Sequence, residues 1–173
     1  MKPKQGTSHR IALWAAMGAA LAGLLGCDPQ RIKELEEGVS TEADVRARFG
    51  EPEAIWDAPR EGPAGRVFEY NRQPAGQKNY MITIGPDGKM AALRQVLTPQ
   101  NFARVQPGMA MEDLRKMLGK PAKVTPYPLK RETEWEWRWV QPPNADMVFT
   151  VVLNDQQFVV RSGSSPDRGV EAP

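Results

Sequence analysis

The sequence predicts an α+β fold of two tandem units, each with two short helices followed by an antiparallel sheet. The main observation is a stretch that occurs twice, as Leu35–Pro52 and as Val105–Pro121. Both copies contain a Gly, an acidic helix start, an apolar residue followed by Arg, and a closing Gly-x-Pro. Segments that alternate apolar and polar residues follow each copy, as half-buried strands do. A repeat at a period of about 70 residues indicates a duplicated supersecondary unit.

The repeated stretch predicts a short helix bounded by glycines. Gly38 and Gly108 stand where the chain must turn into the helix, often with a positive φ that Gly adopts without penalty. Gly50 and Gly119 are expected just after the last helical turn, where Gly is favoured and the following Pro prevents further helix. The second copy has Ala110 in place of the hydroxyl residues of the first. Its helix is therefore expected to start less stably, by roughly 1 kcal/mol.

A further helical segment is expected before each of these helices, at Gln30–Leu35 and at Gln100–Val105. A short strand is possible at residues 54–56, and three main strands are expected after each helix. Both sheets are expected to face the same way, possibly joined edge to edge, with the helix pairs on one side. The predicted strands are Arg66–Arg72, Asn79–Ile84, Lys89–Leu97, Glu132–Val140, Ala145–Leu153 and Gln156–Arg161. The domain boundaries follow: a signal peptide at 1–26, the first unit at 27–98, the second at 99–161, and a disordered tail at 162–173.

The N-terminus has the pattern of a lipoprotein signal peptide. Lys2, Lys4 and Arg10 precede an uncharged stretch, Ile11–Leu25, that is too short to span a bilayer comfortably. It ends in Leu-Leu-Gly-Cys, which is similar to a lipobox and makes Cys27 the predicted site of lipidation. Acyl chains on this cysteine would anchor the protein, at about 0.8 kcal/mol per buried CH₂. The alternative is an uncleaved membrane anchor with an incidental cysteine.

The lipobox predicts a lipid-anchored protein. We expect it in a Gram-negative envelope, as the family resemblance described below implies, facing the periplasm, with two choices of membrane. Asp28, directly after the cysteine, resembles a signal for retention in the inner membrane. The family resemblance described below indicates the outer membrane instead. The membrane itself, reached through the acyl chains of Cys27, is the first predicted partner.

Composition excludes several classes of function. Three of the 23 basic residues and the single histidine, His9, lie in the signal peptide, which leaves 20 basic against 21 acidic residues. A basic surface for nucleic acid is therefore not expected. Without histidine or a free thiol, the mature chain offers neither a Ser-His-Asp triad nor a His/Cys zinc site. No cofactor and no metal site are predicted.

An aromatic ladder is the most unusual feature of the mature chain. The candidate partner-binding residues are Trp135, Trp137, Trp139, Phe68 and Tyr70. The three tryptophans alternate on one strand and therefore share a face. Aligning the repeats places Trp137 over Phe68 and Trp139 over Tyr70, which favours core packing. The same alignment places Trp135 over Arg66, so this tryptophan could lie at the rim of the sheet and contact a partner.

Glu132, Glu134 and Glu136 occupy the opposite face of the same strand. Their spacing overlaps the roughly 6.5–9.5 Å between the carboxylates of inverting glycosidases. Such pairs normally converge across a cleft, and one member needs a pKa raised by burial. Three acids on one strand are more typical of a solvated face, so we predict that the protein is not an enzyme.

The repeated motif resembles that of the SmpA/OmlA/BamE family. The first copy matches at Gly38, Val39, Ser40, Val45, Phe49, Gly50 and Pro52, and the second at Gly108, Met109, Leu114, Leu118, Gly119 and Pro121. The resemblance implies an envelope lipoprotein that docks onto the barrel-assembly complex of the outer membrane. The tandem of two units is similar to the beta-lactamase inhibitor protein architecture. That second resemblance implies a binding or inhibitory module for a periplasmic enzyme as the alternative function.

Overall fold

The structure is a computed structural model that describes residues 32–59 and 62–169. The chain divides into two compact units, 1–34 and 35–173, and only residues 32–34 of the first are described. The predicted signal peptide, Cys27 and Asp28 therefore lie outside the described residues. No helix in the described part is long and apolar enough to span a bilayer.

The second compact unit contains two four-stranded antiparallel sheets, and the strands of each sheet lie in chain order. The first sheet contains β1 (Ala54–Asp57), β2 (Arg66–Asn71), β3 (Asn79–Ile84) and β4 (Met90–Gln95). The second contains β5 (Lys123–Tyr127), β6 (Glu132–Gln141), β7 (Ala145–Asn154) and β8 (Val159–Pro166). The helices are α1 (Glu42–Phe49), α2 (Pro99–Phe102) and α3 (Met111–Leu118), with a 3₁₀ turn at Pro128–Lys130. We call residues 35–98 the first half and residues 99–169 the second half.

Local hydrogen bonds define both ends of α1. The Thr41 hydroxyl accepts from the Asp44 N–H at 3.3 Å, and the Asp44 carboxylate accepts from the Thr41 N–H at 2.9 Å. This is a capping box, which satisfies donors that the first turn leaves unpaired. The hydrogen bond from the Thr41 N–H also lowers the pKa of Asp44. Gly50 ends the helix with φ of 82°, and its N–H donates to the Arg46 carbonyl.

Helix α3 has the same closing glycine but lacks the cap. Gly119 follows it with φ of 77°, and its N–H donates to the carbonyl of Arg115. The N-cap residue, Ala110, makes no side-chain hydrogen bond. The predicted loss of the cap in the second copy is thus confirmed, although the geometry of Ala110 (φ −72°, ψ 146°) is already that of an N-cap.

An Ala110→Ser variant is therefore expected to be more stable than the wild type by about 1 kcal/mol, because the new hydroxyl can accept the N–H of Asp113. Thermal unfolding followed by circular dichroism should show a melting temperature higher by roughly 3 °C for a chain of this size. Ala110→Val is the matched control, since it adds side chain without an acceptor. An equal gain in both variants would show that capping is not the cause.

The first sheet packs α1 against one of its faces. The buried residues on that face are Phe68, Tyr70, Tyr80, Ile82, Ile84 and Met90. Val45 and Phe49 of α1 are buried against the sheet, and the Phe49 ring lies 5.1 Å from that of Tyr70 and 5.6 Å from that of Tyr80. All six residues of β3 are buried, so this sheet is covered on both faces.

The second sheet packs its inner face against α2 and α3. This core contains Leu97, Phe102, Val105, Leu114, Leu118, Trp135, Trp137, Trp139, Phe149, Val151, Leu153 and Val159. The Phe102 ring stacks on Phe149 at 4.2 Å and meets the edge of Trp139 at 5.0 Å. Aromatic pairs in these geometries add to the stabilisation from burial.

The predicted fold class, two tandem helix-helix-sheet units, is wrong. The described chain is mostly antiparallel β, with four strands in each sheet rather than three. The α-helices that are described in full are two of eight residues and one of four. Residues 32 and 33, within the predicted segment Gln30–Leu35, are helical, and turns follow at residue 34 and at residues 37–39. The start of that segment lies outside the described residues.

The predicted disordered tail at 162–173 is also wrong for its first residues. Residues 162–166 continue β8 and pair with β7 from Val151 to Met147. Small polar residues carry little hydrophobic signal, so their pairing with a neighbouring strand is not visible in the sequence. Residues 170–173 lie outside the described part of the chain.

Candidate interaction surface

The five aromatic candidates for partner binding all lie in the interior. Trp135, Trp137, Trp139, Phe68 and Tyr70 are between 0% and 8% exposed. The tryptophans belong to the core of the second half, and the other two face α1 in the first half. Their burial leaves no surface that a partner could contact, so these residues organise the core instead.

Two of these aromatic residues secure the ends of the helices. The Tyr70 hydroxyl donates to the Gly50 carbonyl at 3.0 Å, and the Trp137 indole N–H donates to the Gly119 carbonyl at the same distance. Each bond satisfies a carbonyl near the helix C-terminus that would otherwise lack a partner. Burial raises the pKa of Tyr70 to about 12, so its hydroxyl remains a donor at physiological pH. Tyr70 and Trp137 therefore occupy equivalent positions.

The predicted alignment of the aromatic strands is wrong by two residues. With Trp137 equivalent to Tyr70, Trp135 is equivalent to Phe68 and not to Arg66. Strand pairing agrees, because Phe68 lies opposite Ile82 on its neighbouring strand and Trp135 lies opposite Val151. Trp135 is 8% exposed, so the interpretation that it lies at a rim is not supported.

The outer face of the second sheet, which lies opposite α2 and α3, is the surface that remains. Directly opposed residues of neighbouring strands share a face, so the alternation along β6 assigns its members. They are Lys123, Thr125, Tyr127, Glu132, Glu134, Glu136, Arg138, Val148, Thr150, Val152 and Arg161. Most are half-buried or exposed, and Val152 is buried. We call this set the outer face.

Two of its three glutamates are held in ion pairs. Glu132 accepts two hydrogen bonds from the Arg161 guanidinium, at 2.7 and 2.9 Å. These bonds lower the pKa of Glu132, the opposite direction from that of a general acid. Glu136 lies 3.4 Å from the Lys123 ammonium. The pairs fix charges of both signs on the surface, which suits recognition of a charged partner.

Glu134 lies between these two pairs and differs from them. The strand register places it opposite Thr125 on one side and Val152 on the other. No described residue makes a hydrogen bond or ion pair with its carboxylate. The Thr125 hydroxyl oxygen beside it is buried and has no partner among the described residues. The centre of the outer face therefore has one carboxylate, that of Glu134, without an internal partner among the described residues.

The other face of the first sheet is occupied by α3 and the residues after it. Glu69, which is 0% exposed, accepts from the Lys120 N–H at 2.9 Å and from the Trp56 indole at 3.1 Å. Arg115 of α3 lies 3.4 Å from the same carboxylate. Helix α3 thus lies between the two sheets, and the prediction that the helices share one side is wrong. The feature of the sequence that could have indicated this contact is Glu69, a single acidic residue between two aromatic residues of a predicted strand.

Asn79 holds the end of α3 from the same sheet face. Its side-chain N–H₂ donates to the Leu118 carbonyl at 2.9 Å and to the Lys120 carbonyl at 3.1 Å. Its oxygen accepts from the Arg72 N–H at 3.2 Å. A Cβ on Gly119 would lie 2.9 Å from the side-chain nitrogen of Asn79, so glycine permits the close approach of Asn79 to the end of α3. We call Glu69, Asn79 and their partners the polar seam.

Among the described residues, no group of three or more His, Cys, Asp or Glu side chains is placed to hold a metal ion.

Comparisons with known proteins provide little further information. No family profile and no curated protein matches this chain. A solved structure of a DUF4309 family protein, YjgB from Bacillus subtilis, is similar at 23% identity with a TM-score of 0.30, over 80% of this chain and 86% of that one.

Proposed function

We propose that this protein is a lipid-anchored envelope lipoprotein that faces the periplasm and binds an envelope protein partner through its outer face. The observation that carries the anchor is the Leu-Leu-Gly-Cys sequence ending at Cys27, directly after an uncharged apolar stretch. Acyl chains at this position would hold the folded part of the chain beside a bilayer. The resemblance of the repeated motif to the SmpA/OmlA/BamE family supports a role as a scaffold of the barrel-assembly complex.

The outer face is the surface that the fold leaves for such a partner. The faces of the first sheet are covered by α1 and by the polar seam, and the inner face of the second sheet is covered by α2 and α3. The outer face combines apolar side chains such as Val148 with fixed charges such as Glu132 and Arg161. Charges held in place by ion pairs orient a complementary surface without further ordering cost.

The test uses the full chain expressed in a Gram-negative host. Wild-type protein is expected in the membrane pellet and extractable only with detergent, whereas Cys27→Ala should lose at least tenfold of that association. We attribute this loss to the acyl chains, because the substitution removes the thiol to which they would be attached. Intact mass measurement of the purified protein should show the added acyl chains. Equal membrane recovery of both variants would refute the anchor.

The outer face is tested in the same membranes by chemical cross-linking and mass spectrometry. Glu134→Lys reverses the charge at its centre and is expected to reduce recovery of the partner at least fivefold. Glu36→Lys, an exposed acid in the first half, is the matched control and should leave recovery unchanged. Recovery of barrel-assembly components supports the scaffold, whereas recovery of a single soluble enzyme would support the alternative inhibitory module. Equal recovery with both variants would refute the role of the outer face.

A further inference from the structure

Strand β8 has an open edge. The Asp167 N–H donates to the Asp146 carbonyl of β7 at 2.9 Å, so residue 167 faces inward. Because backbone groups alternate along an antiparallel strand, residues 165, 163 and 161 also face β7. Ser162, Ser164 and Pro166 therefore point their backbone groups away from the sheet. Among residues 32–59 and 62–169, none bonds to this edge beyond Val159.

The equivalent edge in the first half is covered. The Leu93 N–H of β4 donates to the Glu37 carboxylate at 2.8 Å. In the second half, Pro107 stands where Glu37 stands in the first, because each directly precedes the glycine that bonds to the last strand. Proline has no carboxylate to offer, so the matching edge of β8 has no such acceptor.

Another edge of the second sheet is filled by a side chain. Strand β5 ends its pairing with β6 at Glu136, which leaves the backbone of Arg138 without a neighbouring strand on that side. The Gln73 amide substitutes for one: it donates to the Arg138 carbonyl at 2.8 Å and accepts from its N–H at 3.1 Å. β5 itself contains Pro126, which removes a donor from its edge. β8 also contains a proline, Pro166, but it is the last residue of the strand, so Ser162 and Ser164 keep outward N–H groups that no side chain of the described residues accepts.

We propose that β8 is a self-association edge, on which two copies of this chain pair antiparallel about a two-fold axis at Ser164. An edge with unpaired N–H and C=O groups is a template for another strand. In this register the Ser164 N–H of each copy donates to the Ser164 carbonyl of the other. The Ser162 N–H of each donates to the second copy's Pro166 carbonyl. Because proline has no N–H, the Ser162 carbonyl gains no donor from the second copy and is left to water.

Charge and size select a second copy as the occupant and select this register. It places Arg161 opposite the second copy's Asp167 on the same sheet face. Arg161 already binds Glu132, and Asp167 already accepts from Arg138 of its own chain, so the pairing would join two existing ion pairs into a row of alternating charges, which is favourable across a strand pair. A shift of two residues in either direction would instead place Arg161 opposite Ser165 or Gly169. Gly163 and the serines have small side chains, and a Cβ on Gly163 would meet nothing within 4 Å. These small residues leave room for the backbone of a second strand along this part of the edge.

Cysteine cross-linking of the full chain tests the register. Residues facing their own copy at a two-fold axis lie about 5.5 Å apart at Cα, within the range for a disulfide. Ser164→Cys is expected to give a covalent homodimer under mild oxidation, in at least fivefold higher yield than Gly163→Cys. Ser162→Cys should give none above background, because its own copy lies several residues away. The wild type, whose single cysteine is Cys27, provides that background.

Gly62→Cys is the matched control, since this glycine also has room for a Cβ and lies in a loop outside both sheets. A competition experiment adds a second chain to Ser164→Cys before oxidation. Added wild-type chain should occupy the β8 edge and reduce the homodimer yield. An added Ser164→Pro chain lacks the outward N–H and should not reduce it. Equal yields for Ser164→Cys, Ser162→Cys and Gly62→Cys would overturn the proposal. So would capture of a different protein by Ser164→Cys in preference to a second copy.

Discussion

A Glu69→Ala variant is expected to lose about 3–5 kcal/mol of stability, which is typical when one partner of a buried charged network is removed. The carboxylate is 0% exposed and accepts from the Lys120 N–H and the Trp56 indole, with Arg115 beside it. Truncation leaves these half-buried donors without their acceptor, and each unsatisfied group costs up to about 1–3 kcal/mol. Thermal unfolding should show a melting temperature lower by roughly 10–15 °C.

Two further variants separate the network from general effects of mutation. Glu69→Gln retains an oxygen for the Lys120 N–H but places an amide N–H₂ against the other donors, so about half of the loss is expected. Glu53→Ala removes the exposed ion pair between Glu53 and Lys120, at 2.6 Å, and should cost less than about 1 kcal/mol. If Glu69→Ala were no more costly than Glu53→Ala, the seam would not hold the halves together.

Local features of this fold were predictable from the sequence. The predicted positions of the long strands agree with β2, β3, β6 and β7, because period-two alternation depends only on neighbouring residues. The expected positive φ at the repeated glycines is confirmed, with 81° at Gly38 and 86° at Gly108. Helices α1 and α3 also lie where the glycine and proline pattern placed them. Short-range rules are sufficient for such elements.

The number of strands and their register were not predictable in the same way. β5 contains Pro126 and has no buried residue, so its pairing depends on the partner strand and not on its own pattern. The two-residue error in aligning Trp135 arose because the aromatic spacing is the same in either alignment. Hydrogen bonds to Gly50 and Gly119 decide it, and these depend on tertiary structure.

The candidate surface was missed for a related reason. Alternation showed that Glu132, Glu134 and Glu136 share a face, but not that this face stays open while the corresponding face of the first sheet is covered. That difference arises where α3 meets Glu69 and Asn79, two polar residues in strands that are otherwise apolar. A polar residue inside an apolar strand is thus a signal that another element approaches, and it identifies no partner by itself.

Asn79→Asp is expected to be more destabilising at neutral pH than Asn79→Ala, although it preserves the shape of the side chain. The amide donates to the carbonyls of Leu118 and Lys120 at 2.9 and 3.1 Å, with the side chain 0% exposed. An ionised carboxylate would place a charged oxygen against two carbonyl oxygens in a buried site. Asn79→Ala should cost about 2–4 kcal/mol, from the acceptors and the Arg72 N–H that lose their partner.

The pH dependence of that difference is the decisive measurement. Burial beside two carbonyls raises the pKa of the introduced carboxyl above its unfolded value of about 3.9. The neutral form of this carboxyl can donate one hydrogen bond. The stability deficit of Asn79→Asp relative to wild type therefore shrinks as pH falls through the raised folded pKa. The deficit grows as pH rises toward that pKa, by up to about 1.4 kcal/mol per pH unit. Urea unfolding at pH 5 and pH 8 should show this change for Asn79→Asp. The deficit of Asn79→Ala should stay constant, because that substitution introduces no titrating group, and an equally constant deficit for Asn79→Asp would show that the seam admits water.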